Sequence, residues 1–175
     1  MLEVFNGVNF DAVYDIMQKS FPNSEIRSKR GQKALLNDAR YTIFCCKKAN
    51  AMVGVLCVWE IGVGCFLEHF AILPEFRGAG IGSEMLQEFI ENRKANGGLI
   101  FLEAEPITDD ITARRIAFYK RNGFFVNDYD YCQPAFSPSL PAVPLKIVTY
   151  GRGISEEEFN KVKRCVYVEV YNQPE

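Results

Sequence analysis

The sequence predicts an α/β fold. We expect a single domain over residues 1–175, with a mixed central sheet of about six to seven strands and helices on both faces. Short apolar runs typical of strands alternate along the chain with segments of helical periodicity. A polar turn joins two of these runs into an antiparallel hairpin, and a later strand–helix–strand order predicts a parallel pair. A length of 175 residues suits one domain with a substantial core.

The first third of the chain predicts two helices followed by the hairpin. Asn9 can cap a first helix with an apolar stripe, and Pro22 ends it because the residue before a proline disfavours helix. A second helix is expected to run to Asp38 after a charged segment. The runs 41–46 and 52–61 have the patterns of strands, and a polar turn lies between them. Together they predict an antiparallel hairpin.

The centre of the chain is a strand that breaks into a glycine-rich turn and then opens a helix. Residues 65–73 are almost continuously apolar, which is typical of a strand buried on both faces. The turn carries three glycines: Gly78, Gly80 and Gly82. From Ile81 the apolar residues fall at helical spacing. Unpaired N–H groups and the helix dipole make such a turn an anion cradle, and Arg77 adds a full positive charge.

The spacing of the glycines excludes two well-known phosphate sites. A P-loop requires Lys-Ser or Lys-Thr after its last glycine, whereas Gly82 is followed by Ser83 and Glu84. A dinucleotide fingerprint requires the spacing G-x-G-x-x-G, but these glycines are spaced two and two. An ordinary βα turn that is rich in glycine remains an alternative at this point.

The second half of the chain continues the alternation of elements. A strand at 99–104 follows the central helix, and a further helix is expected over 112–121. An aromatic-rich strand is predicted over 124–131, and a proline-rich loop at 133–144 leads to a last strand at 145–150.

A final helix is predicted from the capping box that begins at Ser155 and ends at Glu158. Val162, Val166 and Val170 would form its inner face. The run 166–171 is rich in β-branched residues, so the pattern does not define where the helix ends.

Composition and charge exclude several classes of protein. Hydrophobic residues make up 48% of the chain and aromatic residues 13%, which indicates a globular protein and not a disordered one. The net charge of −2 argues against a nucleic-acid-binding domain. No apolar run is long enough to span a membrane, and the N-terminus lacks the basic and apolar regions of a signal peptide. We therefore expect a cytoplasmic protein with no nucleic-acid or membrane partner.

The six cysteines predict free thiols. None of them forms a C-x-x-C pair, and His69 is the only histidine, so we expect no metal site. Free buried thiols are stable in a reducing compartment, which agrees with the absence of a secretion signal.

Two motifs carry a family resemblance. Arg77-x-x-Gly80-x-Gly82, after a strand reading LEHFAI, resembles the acyl-CoA pyrophosphate loop of the GNAT superfamily of N-acetyltransferases. Tyr119, followed after three residues by Gly123 and Phe124, is similar to the superfamily's second motif, in which the tyrosine hydroxyl lies near the cofactor sulfur. The resemblance implies a GNAT-like domain with a splayed pair of parallel strands that holds the cofactor.

The resemblance also implies acetyl-CoA as cosubstrate. Strand backbone would bind the pantetheine arm, and the glycine-rich loop would bind the diphosphate. The residues implied are Phe70, Ala71, Ile72, Arg77, Gly78, Ala79, Gly80, Ile81, Gly82, Ser83 and Thr112. Thr112 stands where many relatives carry an asparagine, and its hydroxyl reaches less far than an amide.

Acyl transfer to an amine requires a base and an acid. Tyr119 is the candidate acid by resemblance. For the base, Glu68 ranks first because relatives often carry a glutamate on this strand, and Glu103 ranks second, with His69 and Glu105 behind them. Alternation places Glu68 and His69 on opposite faces of the strand. A purely structural role, as a carboxylate satisfied by some partner, is equally open for Glu68.

The acceptor is defined only by class. By resemblance, the loop between the first two helices walls the acceptor site, where Phe21, Glu25 and Arg27 would touch the substrate. We expect a primary amine of a small molecule or peptide, so polyamine, aminoglycoside, amino acid and protein N-terminus remain open. The chain could be a monomer or a homodimer. The alternatives to an enzyme are a non-catalytic acyl-CoA sensor or regulatory module, and a structural domain that binds no CoA.

Overall fold

The computed structural model describes residues 2–137 and 139–173, and this part of the chain forms eight strands and five α-helices. The strands are β1 (Leu2–Val4), β2 (Tyr41–Lys48), β3 (Ala51–Ile61), β4 (Gly64–Ile72), β5 (Leu99–Ala104), β6 (Phe124–Val126), β7 (Tyr131–Gln133) and β8 (Val143–Tyr150). The helices are α1 (Phe10–Ser20), α2 (Lys29–Ala34), α3 (Ile81–Arg93), α4 (Asp110–Arg121) and α5 (Glu156–Cys165). Short 3-10 turns occupy Leu35–Asn37, Pro74–Phe76 and Lys94–Asn96.

Contacts divide the chain into two compact units. The first comprises Met1–Glu60 with Leu67–Gly97, and the second Ile61–Phe66 with Gly98–Glu175. The single domain expected for residues 1–175 stays a prediction. Within the described residues, no helix combines the length and apolar character that crossing a bilayer requires.

The first unit contains the predicted hairpin. β1 pairs antiparallel with β2, and β2 pairs antiparallel with β3, with a register shift between Cys46 and Lys47. β3 lies beside β4, and their backbones come close at Gly54, where an added Cβ would lie 2.4 Å from the side chain of Ile72. Helix α3 packs its apolar stripe inward, and its Phe89 meets Phe44 edge-to-face with ring centroids 5.4 Å apart.

The second unit is organised on β8, which pairs antiparallel with β5, β6 and β7. The predicted continuous strand over 124–131 is wrong: β6 ends at Val126, and β7 begins at Tyr131. The chain turns away at Asn127 because its buried amide is used elsewhere. This side chain donates to the Ile147 carbonyl at 3.0 Å and accepts from the Ile154 N–H at 2.9 Å.

The C-terminal helix begins at the predicted capping box. Ser155 Oγ accepts from the Glu158 N–H at 3.3 Å, and the Glu158 carboxylate accepts from the Ser155 N–H at 3.0 Å. The β-branched run after α5 stays helical but widens into a π-helical turn, Val166–Val170. There the Tyr171 N–H donates five residues back, to the Val166 carbonyl, at 3.2 Å.

Candidate active site

The glycine-rich loop of the first unit lies open on the surface. Arg77, Gly78, Ala79 and Gly80 are exposed, and a Cβ added at Gly78 would meet nothing within 4 Å. Gly78 and Gly80 have φ values of 81° and 83°, in the left-handed region that side chains disfavour. Glycine is therefore required by the backbone at both positions, and the absence of side chains leaves the main chain accessible.

The main chain of this loop presents donors with no protein partner. Within the described part of the chain, none of the backbone N–H groups of residues 78–82 donates to another protein group. In the first turn of α3, the Glu84 N–H donates to the Gly80 carbonyl at 3.0 Å. Five successive N–H groups thus lie at the positive end of a 13-residue helix, which favours an anion.

Arg77 connects this loop to the end of β4. Its Nε donates to the Ile72 carbonyl at 2.8 Å, so the guanidinium is held next to the loop. The carbonyl oxygen of Ile72, one of the residues expected to bind the pantetheine arm through the backbone, is consequently already bound by Arg77.

Strand β4 exposes main chain at Glu68. This residue is partly exposed although its side chain is only 2% exposed, so the accessible part is backbone. Phe70 is also partly exposed, whereas Ala71 and Ile72 are buried. On this strand, exposure of the main chain is therefore established at Glu68.

The Glu68 side chain is ion-paired to two cationic groups. The Arg27 guanidinium donates to its Oε1, and Nδ1 of His69 lies 3.3 Å from its Oε2. Burial alone would raise the pKa of Glu68, but the charges of Arg27 and His69 outweigh it and lower the pKa to about 2. Glu68 is therefore an ionised, firmly paired carboxylate.

His69 joins the same group from the strand side. Its ring is buried, its Nε2 lies 2.9 Å from the Glu25 carbonyl, and Phe21 contacts it edge-on at a centroid distance of 5.0 Å. Glu68 and His69 were expected on opposite faces of the strand, yet the ends of their side chains lie 3.3 Å apart. The three predicted acceptor-side residues, Phe21, Glu25 and Arg27, thus converge on these two neighbours.

Tyr119 lies in the last turn of α4, and the structure explains why Gly123 and Phe124 follow it. The helix ends before Gly123, which has a φ of 86° and lies so close to Tyr150 that an added Cβ would be 2.9 Å from that ring. Phe124 then opens β6 and contacts the Tyr119 ring at 5.8 Å. Burial raises the pKa of Tyr119 to about 12. Its hydroxyl has no protein hydrogen-bond partner among the described residues.

Thr112 is part of the cap of α4. The helix begins at Asp110, earlier than the expected Thr112, because the Asp109 carboxylate accepts from the N–H groups of Ile111 and Thr112. The Thr112 hydroxyl accepts from the N–H groups of Thr108 and Asp109, at 3.0 Å each. Its oxygen is thus already engaged within the cap, and its expected contact with the cofactor stays a prediction.

Glu103 lies in β5 and Glu105 directly follows this strand, and the two carboxylates have different partners. Glu103 accepts from the Tyr131 hydroxyl and, at 2.7 Å, from the Tyr171 hydroxyl. Glu105 is ion-paired with Arg115. Sequence reasoning identified both carboxylates but missed the two tyrosines, because each lies at least 28 positions from Glu103 along the chain.

Two further residues that support the acceptor-side loop were also missed. The Tyr14 hydroxyl donates to the Arg27 carbonyl at 2.9 Å, and the Arg27 guanidinium lies 6.0 Å from the centroid of Trp59. No local pattern distinguishes these aromatic residues from core positions. Among the described residues, no three histidine, cysteine or acidic side chains are grouped to hold a metal ion, and all six cysteines are free.

The sequence model of the acetyltransferase (GNAT) family matches residues 10–124, about two thirds of the chain. The chain belongs to the acetyltransferase (GNAT) family. The resemblance inferred from the two motifs is thereby confirmed, as is the prediction of an acyltransferase. A comparison with curated proteins finds no match.

Solved structures of GNAT proteins share the fold. A GNAT-family protein from Bacteroides thetaiotaomicron is 22% identical, with a TM-score of 0.88 over 99% of each chain. A ribosomal-protein-S18-alanine N-acetyltransferase from Escherichia coli is 19% identical, with a TM-score of 0.66 over 90% of this chain and 96% of that one. A GNAT acetyltransferase from Elizabethkingia anophelis with acetyl-CoA bound is 14% identical, with a TM-score of 0.62 over 86% and 96%. The predicted GNAT-like α/β fold is confirmed.

Proposed function

We propose that this family member transfers the acetyl group of acetyl-CoA directly to a primary amine, without a covalent enzyme intermediate. The observation that carries the proposal is the row of five N–H groups at residues 78–82, none with a protein partner in the described structure, at the start of α3. An exposed loop with these donors, the helix dipole and Arg77 suits the diphosphate of coenzyme A. Main chain exposed at Glu68 supports binding of the pantetheine arm by β4.

The proton must leave the amine before or during attack, and we place Glu103 ahead of Glu68 as its acceptor. A carboxylate whose pKa is held near 2 takes up a proton poorly at neutral pH, which weakens the case for Glu68. The hydroxyls of Tyr131 and Tyr171 orient the Glu103 carboxylate. Glu68 then serves to fix Arg27 and His69.

The leaving thiolate of coenzyme A must receive a proton, and Tyr119 is the proposed donor. A phenol with a pKa of about 12 keeps its proton at neutral pH. Its hydroxyl is not committed to a protein acceptor among the described residues, so it can donate to a bound thiolate. Developing negative charge on the carbonyl oxygen would be steadied by backbone N–H groups.

The proposed acceptor is a primary amine on a small molecule or a peptide. Phe21, Glu25 and Arg27 would contact it. The Escherichia coli relative is named for ribosomal-protein alanine, which adds a peptide N-terminus to the acceptors worth testing. We retain a cytoplasmic location, a single domain and a monomer or homodimer as parts of the same proposal.

Two measurements test this function together. Calorimetry with acetyl-CoA and with CoA measures binding, and a thiol-release assay measures turnover with spermidine, an aminoglycoside, a free amino acid and a peptide with an N-terminal alanine. We expect binding of acetyl-CoA and turnover with one of these amine classes. Binding without turnover on any amine would favour the non-catalytic sensor, and no binding at millimolar acetyl-CoA would overturn both readings.

A further inference from the structure

The only histidine of the chain has both ring nitrogens facing oxygen atoms. Nε2 of His69 lies 2.9 Å from the Glu25 carbonyl, and Nδ1 lies 3.3 Å from Oε2 of Glu68. The Nε2 contact is a hydrogen bond to a carbonyl, whereas Nδ1 and Oε2 lie at ion-pair distance and neither atom has a hydrogen-bond partner among the described residues. An unprotonated ring nitrogen facing an ionised carboxylate is repelled by it, so the two contacts together favour a proton on both nitrogens. Glu68 is kept ionised by the Arg27 guanidinium on its other oxygen. The ion-pair distance to Glu68 therefore favours an imidazolium.

The groups that face His69 sustain this charge. Its own strand supplies Glu68, β3 supplies the Cys57 thiol, and the segment after α1 supplies the Glu25 carbonyl and the Phe21 ring. Burial alone would lower the pKa of His69, because the ring is only 2% exposed. The Glu68 carboxylate outweighs burial and raises the pKa above its ordinary value.

The segment that connects α1 to α2, residues 21–28, is attached to β4 through this pair. The Glu25 carbonyl contacts His69, and the Arg27 side chain donates to Glu68. Ile26 between them is buried, and the Tyr14 hydroxyl binds the Arg27 carbonyl at 2.9 Å. The attachment points of the 21–28 segment are therefore two adjacent charged residues of one strand.

We propose that His69 is a positioning residue that, as an imidazolium, pins the 21–28 segment to β4. When His69 releases its proton to solvent at alkaline pH, the ring loses its charge, and either the hydrogen bond to Glu25 or the ion pair with Glu68 is lost. The pin thereby holds Phe21, Glu25 and Arg27 in place at neutral pH. Its consequence for acceptor binding rests on the proposed function, whereas the pin itself does not.

Nuclear magnetic resonance of the whole protein tests the charge state. Because the chain has one histidine, the ring signals of a ¹⁵N-histidine-labelled sample need no assignment. We expect both ring nitrogens of His69 to be protonated at pH 7, with no titration between pH 6 and 8. In Glu68→Gln burial then dominates, and the ring becomes neutral within or below that range. Glu60→Gln, which removes a carboxylate paired with Arg93, should leave the signals unchanged.

A neutral ring at pH 7 in the unmodified protein, or a midpoint near 6.5, overturns the proposal. Equal changes in Glu68→Gln and Glu60→Gln would do so as well, because the charge would then not depend on the contact with Glu68.

Amide hydrogen exchange tests the pin. The Glu25 N–H donates to the Pro22 carbonyl at 2.9 Å and reports on the 21–28 segment, whereas the Leu73 N–H donates to the Val53 carbonyl at 2.9 Å and reports on the end of β4. In His69→Gln at a fixed pH we expect exchange at Glu25 to accelerate by about ten- to a hundredfold, the size of losing a charged hydrogen bond. Leu73 should change far less.

No acceleration at Glu25, or equal acceleration at Glu25 and Leu73, overturns the pin. Neither experiment uses acetyl-CoA. A protein that fails to bind acetyl-CoA but shows the expected histidine signals and exchange pattern would refute the proposed function and leave this inference standing.

Discussion

The guanidinium of Arg27 donates to the carboxylate of Glu68, and water reaches neither side chain freely, since they are 13% and 2% exposed. The loss of stability when one partner of such an ion pair is removed comes mainly from the remaining charge, which stays buried without a partner. The attraction between the two charges accounts for less of it. The same pair ties the expected acceptor side of the molecule to the strand that precedes the glycine-rich loop.

Removing the Arg27 charge should therefore be costly. We expect Arg27→Met to lower the free energy of unfolding by about 3 kcal/mol, as measured by urea denaturation. Arg40→Met is the matched control, because the Arg40 guanidinium also lies over Trp59, at 5.6 Å, but pairs with Asp38 nearer the surface. Its cost should stay below about 1 kcal/mol. Equal losses in the two variants would contradict the buried-pair interpretation.

The dependence of stability on pH should report Glu68. Its pKa in the folded protein is about 2, against 4.5 as the ordinary value, so its contribution is complete above pH 4.5 and is lost as the pH falls towards 2. The free energy of unfolding of the unmodified protein should exceed that of Glu68→Gln at pH 6, and the difference should shrink between pH 4.5 and 2. A difference that stays constant over this range would show that Glu68 carries no linked proton.

A methyl group added to the glycine-rich loop should weaken CoA binding more than it lowers the free energy of unfolding. Gly80→Ala should lower the free energy of unfolding by about 1 kcal/mol because of its positive φ, and weaken CoA binding by about tenfold or more because the methyl blocks approach to the backbone. Gly7→Ala is the control: it has a φ of 84° and free space around it. It should show the same loss of stability with unchanged CoA affinity in calorimetry.

The hydroxyl of Tyr119 should matter for turnover alone. We expect Tyr119→Phe to reduce kcat by about 10²- to 10⁴-fold while acetyl-CoA affinity stays near normal. Stability should hold, because the hydroxyl binds no protein group among the described residues. Tyr150→Phe serves as the control, since its ring also packs on Phe124, at 5.4 Å. An unaltered kcat in Tyr119→Phe would remove Tyr119 from the mechanism.

The choice between carboxylates can be tested on β5 itself. Glu103→Gln should lower turnover by about 10²- to 10⁴-fold with little change in acetyl-CoA affinity. Glu105→Gln removes a carboxylate two positions away that is paired with Arg115, and should reduce turnover much less. If Glu68→Gln abolishes turnover and Glu103→Gln does not, the order of the two candidates reverses.

Local signals predicted much of the fold. The strand Leu99–Ala104 has the expected bounds, because Gly97 and Gly98 precede it and Pro106 follows it. Helix α3 begins at Ile81 as expected, directly after Gly80. The break between β6 and β7 was not predictable in the same way, since Asn127 makes its hydrogen bonds to Ile147 and Ile154, 20 and 27 positions away.

The same distinction applies to the candidate site. The glycine-rich loop could be recognised because its backbone chemistry depends on consecutive residues. The environment of Glu68 could not, because Arg27 lies 41 positions away and His69 is fixed by a carbonyl 44 positions away. A carboxylate in an apolar strand is visible in a sequence, but the charges that set its pKa are brought there only by folding.

The widened turn Val166–Val170 determines how the C-terminal helix would respond to a change in its length. A π-turn behaves like an α-helix with one additional residue, so losing a single amino acid here would let the helix rewind in α-helical register. Because the widened turn takes up the additional residue within itself, Tyr171 would keep its side of the helix and its direction towards Glu103. Loss of one residue is thus a change of length that this segment should tolerate.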